Sequence, residues 1–167
     1  MKQTLKYIYG VVFENLKFAE SKHTLILTIS SAVLAFATTF FGDNIAQNLF
    51  AIASIIFALI AIFYSFVALV ARHVKVKQKK IKKIVNLIYY KDIMHYDEIG
   101  YIDAIKKNYN FTNIYKPDNM DYDLAKQIIS VSKLTWIKSI YFNFAVVFLV
   151  VSIVCIILTV LIRGNIW

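Results

Sequence analysis

The sequence has little cysteine, proline or glycine: of its 167 residues, one is Cys, one is Pro and four are Gly. The single cysteine, Cys155, cannot form a disulfide within the chain, so cysteine usage does not identify the redox compartment. The scarcity of Gly and Pro leaves no flexible linker and no low-complexity tract. We therefore expect a single domain over residues 1–167.

Motifs for catalysis and metal binding are also missing. The three histidines, His23, His73 and His95, lie far apart in the sequence and near no cysteine cluster. No HExxH, CxxC, GxSxG, P-loop or GxGxxG pattern occurs. The sequence therefore predicts no metal site and a protein that is not an enzyme.

Charged side chains are absent from three long apolar stretches, residues 24–41, 49–71 and 140–162. About 20 apolar residues cross a hydrocarbon core of roughly 30 Å as a helix, so each stretch is long enough or nearly so. Helices satisfy their own backbone polar groups in lipid. The predicted fold is an all-α integral membrane protein with three transmembrane helices. The lack of intramembrane charges argues against a proton-coupled transporter and an intramembrane protease.

The charges outside these stretches are sorted by sign within a formal net charge of +9. Residues 72–139 carry fourteen Lys and Arg against seven acids, whereas residues 42–48 carry only Asp43. Because basic segments near span ends stay in the cytoplasm, we predict that the N-terminus and residues 72–139 are cytoplasmic. The 42–48 connection and the C-terminus are then predicted to lie outside.

Helical periodicity continues outside the spans. Residues 4–22 are predicted to form an amphipathic N-terminal helix, which either lies along the membrane surface or continues into the first span. Residues 72–139 are predicted to form a small cytoplasmic helical insert. In this insert Asp97 is a predicted N-cap of a short helix, and Asp118 or Asp121 caps a helix that runs into the third span.

A basic run follows the second span. Such runs contact anionic lipid headgroups, with about 1 kcal/mol gained for each basic residue near the surface. A phosphate-bearing ligand is the alternative, and no interleaved aromatic platform favours nucleic acid. The predicted headgroup contacts are Arg72, Lys75, Lys79, Lys80, Lys82 and Lys83.

Small and polar residues recur at steps of three and four along each span, and such seams let membrane helices approach closely. The seams either pack within one chain, or one of them faces further copies of the chain or a water-filled path. The candidates for helix packing or pore lining are Thr24, Thr28, Ser31, Thr38, Ser54 and Ser65. A homo-oligomer is expected.

Ala19-Glu20-Ser21-Lys22 stands before the first span, and Gln127, Ser132 and Lys138 stand before the third. These two short stretches resemble the Pycsar effector family, the transmembrane effectors of bacterial pyrimidine-cyclase anti-phage systems. That family shows Ala-(Asp/Glu)-x-Lys-Ala before its first span, and Gln, a Leu-Ser-like pair and a Lys before its last. The sequence departs from this pattern at His23, where the family usually has a small residue. The residues that match are Ala19, Glu20, Lys22, Gln127, Ser132 and Lys138.

The resemblance implies an abortive-infection effector that impairs the bacterial inner membrane when a cyclic nucleotide, made by a partner cyclase, activates it. Glu20, Lys22, Lys138 and Gln127 are then the candidate ligand-binding residues, and no other cofactor is expected. The two lysines could grip a phosphate, form an interhelical network with Glu20, or snorkel at the interface. A membrane anchor that docks a cytoplasmic partner and a small constitutive channel are the alternative functions.

Overall fold

The computed structural model describes residues 1–42, 44–70, 86–111 and 115–164. These residues form only helices, joined by turns and loops: α1 (Lys2–Ala37), a short 3-10 helix (Thr38–Phe40), α2 (Ile45–Val70), α3 (Tyr90–Ile93), α4 (Glu98–Asn108) and α5 (Asn119–Gly164). The predicted headgroup contacts, Arg72, Lys75, Lys79, Lys80, Lys82 and Lys83, lie outside the described residues.

Three of the helices are long and apolar enough to cross a membrane. They are the continuous run Lys2–Phe40, α2, and α5, which has 46 residues. The prediction of an all-helical membrane protein is confirmed in two respects: the described residues form only helices, and three of these helices could span a membrane. The membrane orientation of the chain stays a prediction.

Helices α1 and α5 extend well beyond the predicted spans. Residues 4–22 belong to α1 without a break, so this segment is the first half of the helix that carries the first span. Likewise α5 starts at Asn119 and continues to Gly164, because no Pro or Gly interrupts it before that end.

The chain divides into two compact units. We call Met1–Ala19 with Ala71–Ile137 the insert unit, and Glu20–Val70 with Lys138–Trp167 the span unit. Each unit is built from helices that are distant in sequence, so neither is a continuous segment of the chain.

The insert unit has its own apolar core. Leu5, Ile8 and Val12 of α1 are completely buried in it. Their neighbours in this core come from the other insert-unit segments and include Leu87, Ile93, Tyr101, Ile102, Ile105, Ala125, Ile128 and Ile129. Because protein covers these three α1 side chains fully, they leave no apolar surface there for contact with lipid.

Both ends of α4 are fixed by local hydrogen bonds. Asp97 is the N-cap, and its carboxylate accepts from the backbone N–H of Gly100 at 3.2 Å, as predicted from the sequence. At the other end Asn110 has a φ of 51°, and the N–H of Phe111 donates to the carbonyl of Lys106 at 3.1 Å. This is a Schellman-type end with Asn in the left-handed position.

The start of α5 is a reciprocal cap between two aspartates. Asp118 Oδ1 accepts from the N–H of Asp121 at 2.9 Å, and Asp121 Oδ2 accepts from the N–H of Asp118 at 3.1 Å. Asp118 Oδ2 also pairs with Lys2 Nζ at 2.7 Å, and the phenol of Tyr115 donates to Asp121 Oδ2 at 2.7 Å. Lys2 lowers the pKa of Asp118 chiefly through this hydrogen bond. These bonds tie the first residues of α1 to the start of α5 within the insert unit.

Side-chain amides close the short turn between α1 and α2. Asn48 bonds to both backbone groups of Gly42, accepting from its N–H at 3.0 Å and donating to its carbonyl at 2.7 Å. The buried Gln47 donates to the carbonyl of Phe40 at 2.6 Å. The carbonyls that the end of α1 leaves free are thus satisfied in part by the first turn of α2.

Candidate ligand site and helix-packing seams

A partly buried ion pair joins α1 to α5 in the span unit. Lys138 Nζ donates to Glu20 Oε1 at 2.7 Å. The two partners differ in exposure, since the Lys138 side chain is 3% exposed and that of Glu20 is 44% exposed. A buried ammonium without a counter-ion is strongly destabilising, so Lys138 requires an anion at this position.

His23 makes a second bond between the same two helices. Its Nε2 lies 2.9 Å from the backbone carbonyl oxygen of Lys138. Because a carbonyl can only accept, Nε2 carries the hydrogen and donates it. The other ring nitrogen, Nδ1, is buried and has no hydrogen-bond partner within the described part of the chain. His23 is completely buried and fixes the backbone of the residue that carries the buried ammonium.

Lys22 contacts α5 at Phe142, which the His23 ring also meets. Its Nζ lies 5.3 Å from the centre of the Phe142 ring, a cation–π distance. The His23 ring meets Phe142 edge-on with ring centres 5.8 Å apart. Phe142 follows Lys138 by one helical turn, so Lys22 and Lys138 reach one face of α5.

The four candidate ligand residues are therefore only partly brought together. Glu20 and Lys138 are in contact, and Lys22 packs one turn away. Gln127 is exposed on α5 and belongs to the insert unit. Its part in ligand binding stays a prediction. In the sequence, His23 stood out as a departure from the family pattern. Its bond to Lys138 could not be predicted, because it depends on the register of α1 against α5.

The small-residue seams of α2 and α5 face the interior of the span unit. Ser54 and Ser65 are completely buried, together with the alanines of the same seam, Ala51, Ala58, Ala61 and Ala68. On α5 the buried small residues are Ala145, Ser152, Cys155 and Thr159. The two seams meet at a pair of hydroxyls: Ser152 Oγ donates to the carbonyl of Ser54 at 2.8 Å and lies 3.0 Å from Ser54 Oγ.

The polar stripe of α1 lies on the opposite, exposed side of its helix. Thr24, Thr28, Ser31 and Thr38 are all exposed in the single chain. The three threonine hydroxyls donate to carbonyls three or four residues earlier in the continuous run Lys2–Phe40, those of Glu20, Thr24 and Ala35. The buried side of α1 carries His23, Ile26, Ser30 and Ala37 instead. Whether the exposed stripe faces further copies or a water-filled path stays a prediction.

The family model of the Pycsar effector protein domain, PycTM, matches residues 4–163. The chain belongs to this family. The match includes the Glu20–Lys138 pair and nearly all of the described helices, so the resemblance found in two short motifs extends over residues 4–163. No curated protein and no solved structure gives a significant match to this chain.

Proposed function

We propose that this chain is a non-enzymatic anti-phage effector that impairs the integrity of the bacterial inner membrane when a cyclic nucleotide activates it. The observation that carries the proposal is the family match over residues 4–163 of a chain with three apolar helices long enough to cross a bilayer. A Pycsar effector acts with a nucleotide cyclase. We therefore expect the product of that cyclase, a cyclic nucleotide, to be the activating ligand.

The ligand site that best fits this function is the group formed by Glu20, Lys22 and Lys138 in the span unit. Gln127, in the insert unit, is a separate candidate. A cyclic nucleotide carries one negative charge on its phosphodiester, and lysine ammonium groups are common phosphate ligands. Lys138 supplies a buried ammonium and Lys22 a second one nearby. Low dielectric around Lys138 strengthens its attraction for an anion.

Activation would change how the helices pack. A ligand shifts a conformational equilibrium only by its preference for one arrangement over the other. The seams of α2 and α5 are built from small side chains, which permit close packing in more than one register. In the active homo-oligomer the exposed α1 stripe, Thr24, Thr28, Ser31 and Thr38, would line the path through which ions leak. The basic run at 72–83 would hold the assembly on anionic headgroups.

Co-expression with a pyrimidine cyclase tests the proposal. Membrane potential and uptake of a membrane-impermeant dye are measured after the nucleotide product has been verified in extracts. Lys22→Ala and Lys138→Ala should abolish the response while leaving the amount of chain in the membrane fraction unchanged. Lys126→Ala is the matched control, since Lys126 is an exposed lysine of α5.

An unchanged membrane potential in the wild type, with the nucleotide present, would contradict the proposed function. A full response in both Lys22→Ala and Lys138→Ala would instead assign these lysines to interfacial snorkelling and remove them from the ligand site.

A further inference from the structure

We propose that Glu20 is an autoinhibitory counter-ion, which occupies Lys138 in the resting chain and is replaced there by the activating anion. This inference rests on the proposed function and concerns the regulation of the same site. It changes the role of Glu20 from a ligand contact to the group with which the ligand competes.

The unequal burial of the pair decides which partner can leave. Lys138 is 3% exposed, so moving its ammonium into water would require the surrounding helices to open. The Glu20 side chain is 44% exposed, so it remains partly accessible from outside the protein while it is paired. The carboxylate can therefore swing outward with a small change in solvation, whereas the buried ammonium stays and needs another anion.

The exchange conserves charge at the site. One carboxylate with a single negative charge leaves, and one phosphodiester with a single negative charge takes its place. Lys22 Nζ lies 5.3 Å from the centre of the Phe142 ring, and Phe142 follows Lys138 by one helical turn, so a second ammonium is within about a turn of the exchanged anion. The ligand class is thus a singly charged phosphodiester, whose two free oxygens can accept from two ammonium groups at once.

The exchange also removes a bond between α1 and α5 at Lys138. The His23–Lys138 carbonyl bond holds the backbone of α5, and the Glu20–Lys138 bond holds the side chain. Only the second bond is lost when an anion replaces Glu20. Lys138 then remains in position for the ligand, while Glu20 no longer fastens α1 to the ammonium.

The test compares dose–response curves of membrane potential against cyclic nucleotide in cells that carry the cyclase under graded induction. Glu20→Gln keeps the size and hydrogen-bonding oxygen of the side chain but removes its charge. It should lower the nucleotide level for half-maximal response about tenfold, the factor that corresponds to about 1.4 kcal/mol. Lys138→Gln and the double variant Glu20→Gln/Lys138→Gln should both be unresponsive. Glu14→Gln, which changes an exposed acid of the same helix, should match the wild type.

Binding to the purified full chain in detergent gives a second readout, with radiolabelled cyclic CMP and cyclic UMP as the probes. Glu20→Gln should bind whichever of the two probes binds the wild type, and bind it more tightly, whereas Lys138→Gln should lose this binding. Should Glu20→Gln be missing from the membrane fraction, Glu20→Asp replaces it. Its carboxylate is one methylene too short for the 2.7 Å contact, so its threshold should also fall below that of the wild type.

Several outcomes would overturn the inference: a Glu20→Gln or Glu20→Asp threshold equal to or above that of the wild type, unchanged probe binding in Glu20→Gln, or a double variant that still responds. They are distinct from failure of the proposed function. If the wild type itself leaves the membrane potential unchanged with nucleotide present, the function fails. If the wild type responds but Glu20→Gln is not sensitised, only the counter-ion role is wrong.

Discussion

Removing the hydroxyl of Ser152 should destabilise the span unit more than removing that of Ser54, although the two side chains are chemically identical and equally buried. Ser152 Oγ donates its only hydrogen to the Ser54 carbonyl at 2.8 Å. The hydrogen between the two hydroxyls, 3.0 Å apart, must then come from Ser54. Ser54→Ala therefore removes one interhelical bond and Ser152→Ala removes both.

The magnitudes follow from the number of bonds lost. An interhelical hydrogen bond between membrane helices contributes about 0.6 kcal/mol on average. We expect the free energy of unfolding to fall by about 0.6 kcal/mol in Ser54→Ala and by about 1.2 kcal/mol in Ser152→Ala. The cost of Ser152→Ala should not exceed the two lost bonds, because the Ser54 hydroxyl can donate to a carbonyl of its own helix instead of staying unpaired. Alanine suits position 54, since the neighbouring seam residues of α2 are alanines.

Equilibrium unfolding in mixed micelles, followed by far-UV circular dichroism as the fraction of denaturing detergent rises, measures these differences. Ser130→Ala is the control, because Ser130 is an exposed serine of α5 and its loss should change stability by less than about 0.5 kcal/mol. A Ser54→Ala cost equal to or larger than that of Ser152→Ala would refute the assignment of donors at this contact.

Three further predictions concern the insert unit. Asp97→Ala should lower the free energy of unfolding by about 1 kcal/mol through loss of the α4 cap, while Asp97→Asn should retain most of it, as measured by denaturant unfolding. Asn110→Gly should raise thermal stability, since glycine adopts the φ of 51° without strain; a lower melting temperature would contradict this. The hydrogen bond that Tyr115 donates to Asp121 raises the pKa of Tyr115 to about 12. Its stabilising contribution should be complete below about pH 10 and lost as the pH rises through about 12, measured as the difference in denaturant unfolding between wild type and Tyr115→Phe at each pH, while the difference in their tyrosinate absorbance reports the pKa itself.

The sequence allowed prediction of those features that depend on neighbouring residues. The Asp97 cap and the continuity of α5 are local, because a cap needs one acceptor three residues from a donor and a helix continues where no breaker interrupts it. Small residues likewise marked the seam of α2, but its packing within the chain was one of the alternatives that the sequence left open. The buried side of α1 could not be predicted in this way, because both of its sides carry hydroxyl and apolar groups. Lipid is as apolar as a protein core, so hydropathy does not separate the two sides.

The same reasoning explains why the central contact of the candidate site was found only in part. The sequence placed Glu20 and Lys138 near the ends of two spans, which made an ion pair between them one of several open possibilities. The sequence could not predict that Glu20 is far more exposed than Lys138, nor that His23 bonds to the Lys138 carbonyl, because both depend on how the helices pack against each other. The unequal exposure is the feature that separates a competing counter-ion from a ligand contact.

The exchange of one anion for another at Lys138 cannot by itself drive activation, because both complexes neutralise the same buried charge. Shifting an equilibrium from 1:99 to 99:1 requires a preference of about 5.5 kcal/mol for the active arrangement. The ligand must obtain this preference from contacts that Glu20 does not make. Lys22 is a candidate for such a contact, since it lies over the ring of Phe142, one helical turn from Lys138. Lys22→Ala in a Glu20→Gln background should therefore raise the nucleotide threshold again while Lys138 still binds the probe. A double variant as sensitive as Glu20→Gln alone would place the driving contact elsewhere on the ligand.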